Sequence, residues 1–201
     1  MSPARRHDVV VVGGGNAGIS LAAKLLHDEC RDVAVVEPKA VHHYRPLLSY
    51  VAGGAATLDD LTRPQERAMP RGVHRYADRA TAVDVDAAEV VLAGGTRLAY
   101  RDVVVCPGSE VDHDAMPGLR EAFATPHAAT SYLVDHAPRT WRMLAGLTSG
   151  RAVFVVSDRH VPCAPVGLKP LFLGAPRAGR RRHASGSRRR SSRRASAGSG
   201  C

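Results

Sequence analysis

Several features that mark other classes of protein are scarce in this chain of 201 residues. Aromatic residues make up only 4% of it, and no apolar run approaches the roughly 20 residues that a membrane-spanning helix needs. The four cysteines, Cys30, Cys106, Cys163 and Cys201, form no CxxC pair and no Cys/His spacing suited to zinc, which argues against a structural metal site. The first valine run reaches the glycine loop after four valines and is too short for the core of a secretion signal, so we expect a cytoplasmic protein, with peripheral attachment to the inner face of the membrane left open.

Basic charge is confined to one end of the chain. The net charge is +9, and nine arginines with no acidic residue lie between Arg177 and Cys201. The first 176 residues are therefore neutral overall and give no sign of a nucleic-acid-binding domain. Residues 176–201 combine Arg, Ser, Gly and Ala without apolar periodicity, which predicts a disordered tail with no specific nucleic-acid partner.

The amino-terminal residues predict a strand, a loop, a helix and a second strand. Asp8–Val12 is a β-branched run typical of a strand buried on both faces, and Ile19–His27 has helical spacing. Val33–Val36 predicts the second strand, which ends at Glu37. The loop between the first strand and the helix is Gly13-Gly14-Gly15-Asn16-Ala17-Gly18. This order predicts an α/β fold with a Rossmann-like βαβ unit and a parallel sheet.

The glycine loop and the acid after it are typical of dinucleotide binding. Gly13 permits a tight turn, Gly15 lets the backbone approach a pyrophosphate, and Gly18 lets the helix pack closely on the sheet. The amino terminus of the helix offers free N–H groups to the phosphates. Glu37 follows Gly18 by nineteen residues, where a carboxylate can accept a bond from a ribose 2′-hydroxyl and disfavours a 2′-phosphate. The ligand should therefore be NAD-like or FAD-like rather than NADP-like.

The middle of the chain predicts a short helix followed by several short strands. Leu58–Pro70 predicts a short helix interrupted by Pro64. Turn residues then separate four short strands of a small antiparallel meander, at Val73–Tyr76, Ala80–Val85, Glu89–Leu92 and Arg97–Tyr100. Val103–Cys106 predicts a buried strand that stops at Pro107-Gly108.

The last third predicts the start of a second α/β domain. Thr130–Leu147 has helical spacing, which Pro138 must kink or restart, and Ala152–Val156 predicts a buried strand. No second glycine motif follows that strand, which argues against a flavoprotein reduced by NADH. We therefore expect a dinucleotide-binding domain over 1–110, an incomplete α/β domain over 111–175 and a tail over 176–201.

This organisation resembles the FAD domain of the pyridine nucleotide-disulfide oxidoreductase-like flavoproteins. Within that superfamily the chain looks most like sulfide:quinone oxidoreductase, especially its mitochondrial type. The stretches that carry the likeness are His43–Leu47, Arg63-Pro64, Met69–Val73, Pro117–Leu119, Thr140-Trp141, Pro162–Ala164 and Lys169–Leu173. The likeness covers roughly residues 7 to 173 and stops where the basic tail begins.

The resemblance implies an FAD-dependent oxidoreductase. It places FAD on the residues of the glycine loop and beside the second strand, namely Gly13, Gly14, Gly15, Asn16, Ala17, Gly18, Glu37, Pro38 and Gly108. It makes Cys163 the redox-active cysteine, whose thiolate passes electrons from sulfide to FAD and so to quinone. Sulfide and quinone are then the implied small-molecule partners, with peripheral membrane contact, while the oligomeric state is left open.

Three alternatives stay open at this point. The family is considerably longer, and its later part supplies the second redox cysteine and the quinone pocket, so we expect an amino-terminal portion whose activity is in doubt. A noncatalytic dinucleotide-binding fragment with a basic tail is one alternative. An NAD(P)H-dependent flavoprotein of the same architecture is another. For Cys163 itself, the competing interpretation is a buried, inert cysteine.

Overall fold

The computed structural model describes residues 5–156, 161 and 163–177. The strands are β1 (Arg5–Val12), β2 (Val33–Val36), β3 (Val41–His43), β4 (Thr62–Pro64), β5 (His74–Tyr76), β6 (Ala80–Asp84), β7 (Glu89–Leu92) and β8 (Arg97–Val105). The helices are α1 (Asn16–His27), α2 (Leu48–Ala52), α3 (Leu58–Leu61), α4 (Gln65–Ala68), α5 (Leu119–Ala124), α6 (His136–Gly146) and α7 over residues 169–177. Short 3-10 turns occupy Arg45–Leu47 and Ala164–Leu168.

These residues form two compact units. The first combines the chain up to Tyr44 with Leu61–Glu110, and the second combines Arg45–Asp60 with the described residues from Val111 onward. The first unit contains a six-stranded sheet in the order β5-β2-β1-β8-β7-β6. Its strands β5, β2, β1 and β8 are parallel, whereas β8, β7 and β6 are antiparallel. The predicted βαβ unit is therefore confirmed, and so are the last three strands of the predicted meander, as parts of one sheet.

Alternation along β1 explains why its second half, Val9–Val12, is apolar throughout. Side chains of a strand point to opposite faces in turn, so a strand covered on both sides needs apolar residues throughout. Val9 and Val11 lie in one buried cluster with Ala22 of α1. Val10 lies in another, with Val90 and Leu98 among its members. This burial fixes β1 at the centre of the sheet.

Two details of the predicted meander are wrong. The segment predicted as its first strand forms β5, which pairs in parallel with β2. β2 is buried on both faces, and β5 satisfies the backbone groups along its second edge. The strands predicted at Arg97–Tyr100 and Val103–Cys106 are one strand, β8, because the charged residues between them are exposed and form ion pairs without breaking the ladder. Val105 is 57% exposed, so the end of β8 is less buried than predicted.

Other predicted elements differ in ways that have local causes. The helix predicted over Leu58–Pro70 is split into α3 and α4 by β4, which pairs with β3 around Pro64. Helix α6 begins only at His136, so Pro138 falls in its first turn, where a missing N–H costs little. The strand predicted at Ala152–Val156 is wrong, because these residues form neither strand nor helix in the described chain and Val153 and Val155 are exposed. The predicted tail lies outside the described residues, apart from residues 176 and 177, which lie in α7.

Arg139 organises the loop after α5 in the second unit. Its guanidinium donates to the carbonyl oxygens of Phe123 at 2.8 Å and Ala128 at 2.6 Å, and also to that of Thr125. Replacing Arg139 with alanine leaves these carbonyls without their charged donor, so we expect the free energy of unfolding to fall by about 2–3 kcal/mol. Urea denaturation measures the loss. Arg142, exposed on the same helix, is the matched control, and its replacement should change stability by less than about 0.5 kcal/mol.

Candidate functional site

The glycine loop lies at the carboxyl end of the parallel strands. Gly13 follows β1, and its N–H donates to the carbonyl oxygen of Val36, the last residue of β2, at 2.9 Å. On the other side, the N–H of Cys106 donates to the carbonyl oxygen of Val12 at 2.7 Å. The loop is therefore held between the ends of three neighbouring strands, at the edge of the sheet where parallel α/β folds bind their ligands.

Two glycines of the loop are fixed by close backbone packing. Gly13 has φ of 108°, and a Cβ atom there would lie 2.1 Å from the carbonyl oxygen of Cys106. A Cβ atom on Gly18 would lie 1.8 Å from the carbonyl oxygen of Gly13 and 3.2 Å from a methyl of Val11. Any side chain at either position would force backbone atoms apart. These two glycines therefore shape the turn and seat α1 against β1.

Gly14 is enclosed by side chains that come from distant parts of the chain. Its N–H donates to Oε2 of Glu37 at 2.9 Å, and its carbonyl oxygen accepts from Nε2 of Gln65 at 2.7 Å. Gln65 is 1% exposed, and the methyl carbon of Met69 also borders the space where a Cβ atom of Gly14 would lie. Both polar groups of the Gly14 backbone are thus satisfied from within the unit.

Gly15, in contrast, faces open space. It is exposed, and a Cβ atom built on it would meet nothing within 4 Å. It is also the N-cap of α1, where no side chain caps the helix and no acidic residue lies in the first turn. The N–H groups at the start of an uncapped helix, including those of Asn16 and Ala17, have no intrahelical partner and carry partial positive charge. This combination suits a phosphate or pyrophosphate group.

Glu37, the acid after β2, also stabilises the backbone of the glycine loop. Glu37 is buried, and its two carboxylate oxygens accept from the N–H groups of Gly14 and Lys39, both at 2.9 Å. Each carboxylate oxygen can accept more than one bond, so a hydroxyl donor can still be accommodated. Pro38 is exposed beside it. Gly108 is also exposed, in the turn after β8, where it has φ of 78° and a Cβ atom would meet nothing within 4 Å.

Cys163 lies in the second unit and has an unusual backbone. Its φ of 57° and ψ of 72° are left-handed values, which cost a non-glycine residue roughly 1–2 kcal/mol. The carbonyl oxygen of Cys163 accepts from the hydroxyl of Tyr132 at 3.1 Å and from the N–H of Val166 at 2.9 Å, and these bonds hold the conformation. The residue is exposed, which contradicts the interpretation of Cys163 as a buried cysteine.

Tyr132 and Lys169, both of which could act on Cys163, have different surroundings. Burial, with a smaller effect of the nearby Cys163, raises the pKa of Tyr132, so its hydroxyl stays protonated and able to donate. Lys169 has a different neighbour, because its Nζ lies 5.1 Å from the centre of the Tyr50 ring. His160, which is close to Cys163 in sequence, lies outside the described residues.

No sequence pattern predicts that Gln65 contacts the glycine loop. Gln65 lies fifty-one positions from Gly14, in a short helix that the sequence presents as polar and surface-like. The spacing Thr62-x-x-Gln65 matches at most a helix-capping box, and only the fold brings Gln65 under the glycines. Among the described helices, none has the length and apolar composition of a membrane span.

Comparison with known proteins links this arrangement to a family. A profile of the pyridine nucleotide-disulphide oxidoreductases matches residues 7–170. Mitochondrial sulfide:quinone oxidoreductase of Mus musculus is 31% identical over 168 residues, which cover 83% of this chain and 37% of the relative. The same enzyme of Dictyostelium discoideum is 30% identical over 168 residues, covering 82% and 37%. The chain thus spans little more than a third of the length of these curated relatives.

Solved structures show the same fold. Sulfide:quinone oxidoreductase from Aquifex aeolicus has a TM-score of 0.55 at 21% identity, over 72% of this chain and 32% of that one. Putidaredoxin reductase, in its covalent complex with putidaredoxin, has a TM-score of 0.58 at 22% identity, over 86% and 40%.

The fold and the family agree with the expectation from sequence. The Rossmann-like α/β architecture is confirmed, and the proteins of this family are FAD-binding flavoproteins with oxidoreductase activity. The open glycine loop provides the kind of backbone surface that such a cofactor needs. By the match over residues 7–170, this chain belongs to the pyridine nucleotide-disulphide oxidoreductase family.

Proposed function

We propose that this chain supplies the FAD-binding portion of an oxidoreductase of the sulfide:quinone type. The observation that carries the proposal is the contrast within the glycine loop, where Gly13 and Gly18 are packed tightly while Gly15 faces open space at an uncapped helix terminus. Packing alone explains the first two glycines. An approaching ligand explains the third, because a side chain there would meet no part of the protein.

The residues of the first unit would hold the adenosine diphosphate half of FAD. The N–H groups at the start of α1 would donate to the pyrophosphate, with Gly15 leaving room for it. Glu37 would accept from a ribose hydroxyl while keeping its bonds to the backbone of Gly14 and Lys39. Pro38 and Gly108, exposed at the ends of β2 and β8, would border the same edge of the sheet.

The redox chemistry is proposed by similarity to the two curated relatives, whose names give sulfide as donor and quinone as acceptor. Bound FAD supplies a two-electron carrier between such partners. From this chain we assign the reactive thiol to Cys163, since the residue is exposed and held in a strained backbone conformation of the kind found at functional sites. Only its thiolate would react, and the sulfur of sulfide would end as a persulfide on Cys163 when two electrons pass to bound FAD.

The proposal predicts that Gly15→Ala weakens FAD binding without weakening the fold. The new methyl would meet no protein atom within 4 Å, but it would stand where the pyrophosphate approaches. We expect the dissociation constant for FAD to rise at least tenfold, or about 1.4 kcal/mol, in a titration followed by flavin fluorescence. The urea midpoint should change little, because the lower entropy of the unfolded chain stabilises the variant while alanine is a poorer N-cap than glycine.

The matched control is Gly146→Ala, which also adds a methyl in open space but lies at the end of α6 in the other unit. It should leave FAD affinity unchanged. If the parent chain shows no affinity for FAD, or if both alanine variants bind it equally well, the glycine loop does not hold the cofactor in this chain.

The thiol assignment has its own test. After anaerobic addition of sulfide to the FAD-loaded chain, the visible flavin absorption should bleach, and Cys163→Ser should abolish this bleaching because a hydroxyl cannot replace the thiolate. Cys201→Ser is the control and should bleach like the parent. Bleaching that survives Cys163→Ser would remove Cys163 from the proposed pathway.

A further inference from the structure

A cluster of three metal-ligating side chains lies in the first unit, at the opposite edge of the sheet from the glycine loop. His7 is in the first half of β1, Asp32 immediately precedes β2, and His74 is the first residue of β5. These strands are neighbours in the sheet and run in parallel, so their amino-terminal ends meet at one edge. One ligand atom from each residue lies within 4.8 Å of the others.

We propose that His7, Asp32 and His74 bind a divalent metal ion such as zinc. Two imidazole nitrogens and one carboxylate oxygen form a donor set that suits zinc, copper, nickel or iron(II) better than magnesium or calcium, which prefer oxygen ligands. Three protein ligands leave a fourth position for water, as in open zinc sites. This site is independent of FAD and of the proposed sulfide chemistry.

The hydrogen bonds around His7 prepare it as a ligand. Its Nδ1 lies 2.6 Å from Oδ1 of Asp32, and its Nε2 lies 2.8 Å from the hydroxyl of Tyr76. When Nε2–H donates to Tyr76, Nδ1 is the nitrogen left to bind the ion. A second hydrogen bond of this kind fixes the ring of a metal-ligating histidine and selects its tautomer. The ion would take the place of the proton shared by His7 and Asp32, and that proton would pass to solvent.

The burial of the three residues suits entry of an ion from one side. His7 is 6% exposed and anchored, whereas the side chains of Asp32 and His74 are 41% and 59% exposed. Nε2 of His74 lies 3.7 Å from Oδ1 of Asp32. Donor atoms around tetrahedral zinc are about 3.3 Å apart, given bonds of about 2.0–2.2 Å. Small rotations of Asp32 and His74 would therefore admit the ion, by widening the 2.6 Å contact of Asp32 with His7 and shortening its 3.7 Å contact with His74.

The ligands come from positions 7, 32 and 74, which no short-range spacing of Cys and His residues would reveal. Only the folded sheet brings them together, so the ion would bind the native state and join three strands. Zinc should therefore raise the midpoint of thermal unfolding of the parent chain.

Zinc binding to the full chain of 201 residues, without a histidine tag, tests the proposal. After removal of metal with a chelator, zinc is titrated against a chromogenic competitor. We expect His74→Ala and Asp32→Asn each to weaken one zinc equivalent at least tenfold and to remove the zinc-dependent rise in unfolding temperature. Exposed His127→Ala and Asp86→Asn are the matched controls and should bind like the parent.

Cobalt(II) separates this site from sites built on the cysteines. Ligation by nitrogen and oxygen should give visible cobalt bands without a thiolate charge-transfer band, and His74→Ala should remove them. Absence of a zinc equivalent in the parent chain would overturn the proposal. So would an equivalent that survives both ligand substitutions, or a thiolate band at one equivalent of cobalt, since other residues would then hold the metal.

Discussion

Gly18→Ala is expected to lower the free energy of unfolding by about 3 kcal/mol or more, a large share of the stability of a domain of this size. Alanine normally stabilises a helix relative to glycine by about 1 kcal/mol, and Gly18 lies in the first turn of α1. Here the sign reverses, because the Cβ atom would lie 1.8 Å from the carbonyl oxygen of Gly13. The helix could accept the methyl only by moving away from β1. Urea denaturation followed by circular dichroism measures the loss.

The same substitution at Gly146 should have the opposite effect. Gly146 is the last residue of α6, and a Cβ atom there meets nothing within 4 Å. Alanine at such a position should stabilise the protein by about 0.5 kcal/mol through the entropy of the unfolded chain. Equal effects at positions 18 and 146 would mean that α1 does not pack on the loop as described.

Glu37→Ala is expected to cost about 2–4 kcal/mol in stability even without any ligand. The substitution leaves the buried N–H of Gly14 and the half-buried N–H of Lys39 without their charged acceptor. Glu37→Gln should lie between alanine and the parent, because an amide retains one acceptor oxygen and brings one donor group toward a backbone donor. Thermal and urea unfolding of the three ligand-free proteins should give this order.

The control for Glu37 is Glu110→Ala, which removes an exposed carboxylate from the same unit and should change stability by less than about 0.5 kcal/mol. A Glu37→Ala protein as stable as the parent would show that the carboxylate does not support the loop. The two roles of Glu37 also bear on ligand studies: a loss of FAD affinity in Glu37→Ala can be attributed to the ribose contact only after correction for the lost stability.

The parts of the fold that could be predicted from sequence depend on local periodicity. The valines of β1 and β2 and the glycines between them specify strand, turn and helix within 37 residues, and the structure confirms this unit. The turn residues between β6, β7 and β8 specify the meander for the same reason. The role of Gly13 in the turn could also be predicted, since a strand that must reverse into a helix needs a left-handed or glycine-only conformation there.

The features that escaped prediction depend on partners far away in the chain. Whether Val73–Tyr76 joins the meander or β2 is decided by which edge lacks a partner, and nothing local records this. The apolar residues of Ala152–Val156 predict a strand, but the described chain offers them no ladder. The contacts of Gln65 with the loop likewise arise only after β3 and β4 have brought it beneath Gly14.

Strand β8 has a consequence for the order of events during synthesis. It pairs with β1 over register positions from Arg5↔Leu98 to Val12↔Val105, and β1 is otherwise bordered only by β2. The backbone groups along one edge of β1 therefore have no partner until β8, about ninety residues later in the chain, has been synthesised. Closure over so long a segment is slow relative to local pairing. Until Val105 has left the ribosome, the valines of β1 form an unpaired, apolar strand edge that is prone to aggregation. We therefore expect the nascent chain to depend on chaperones most strongly in that interval.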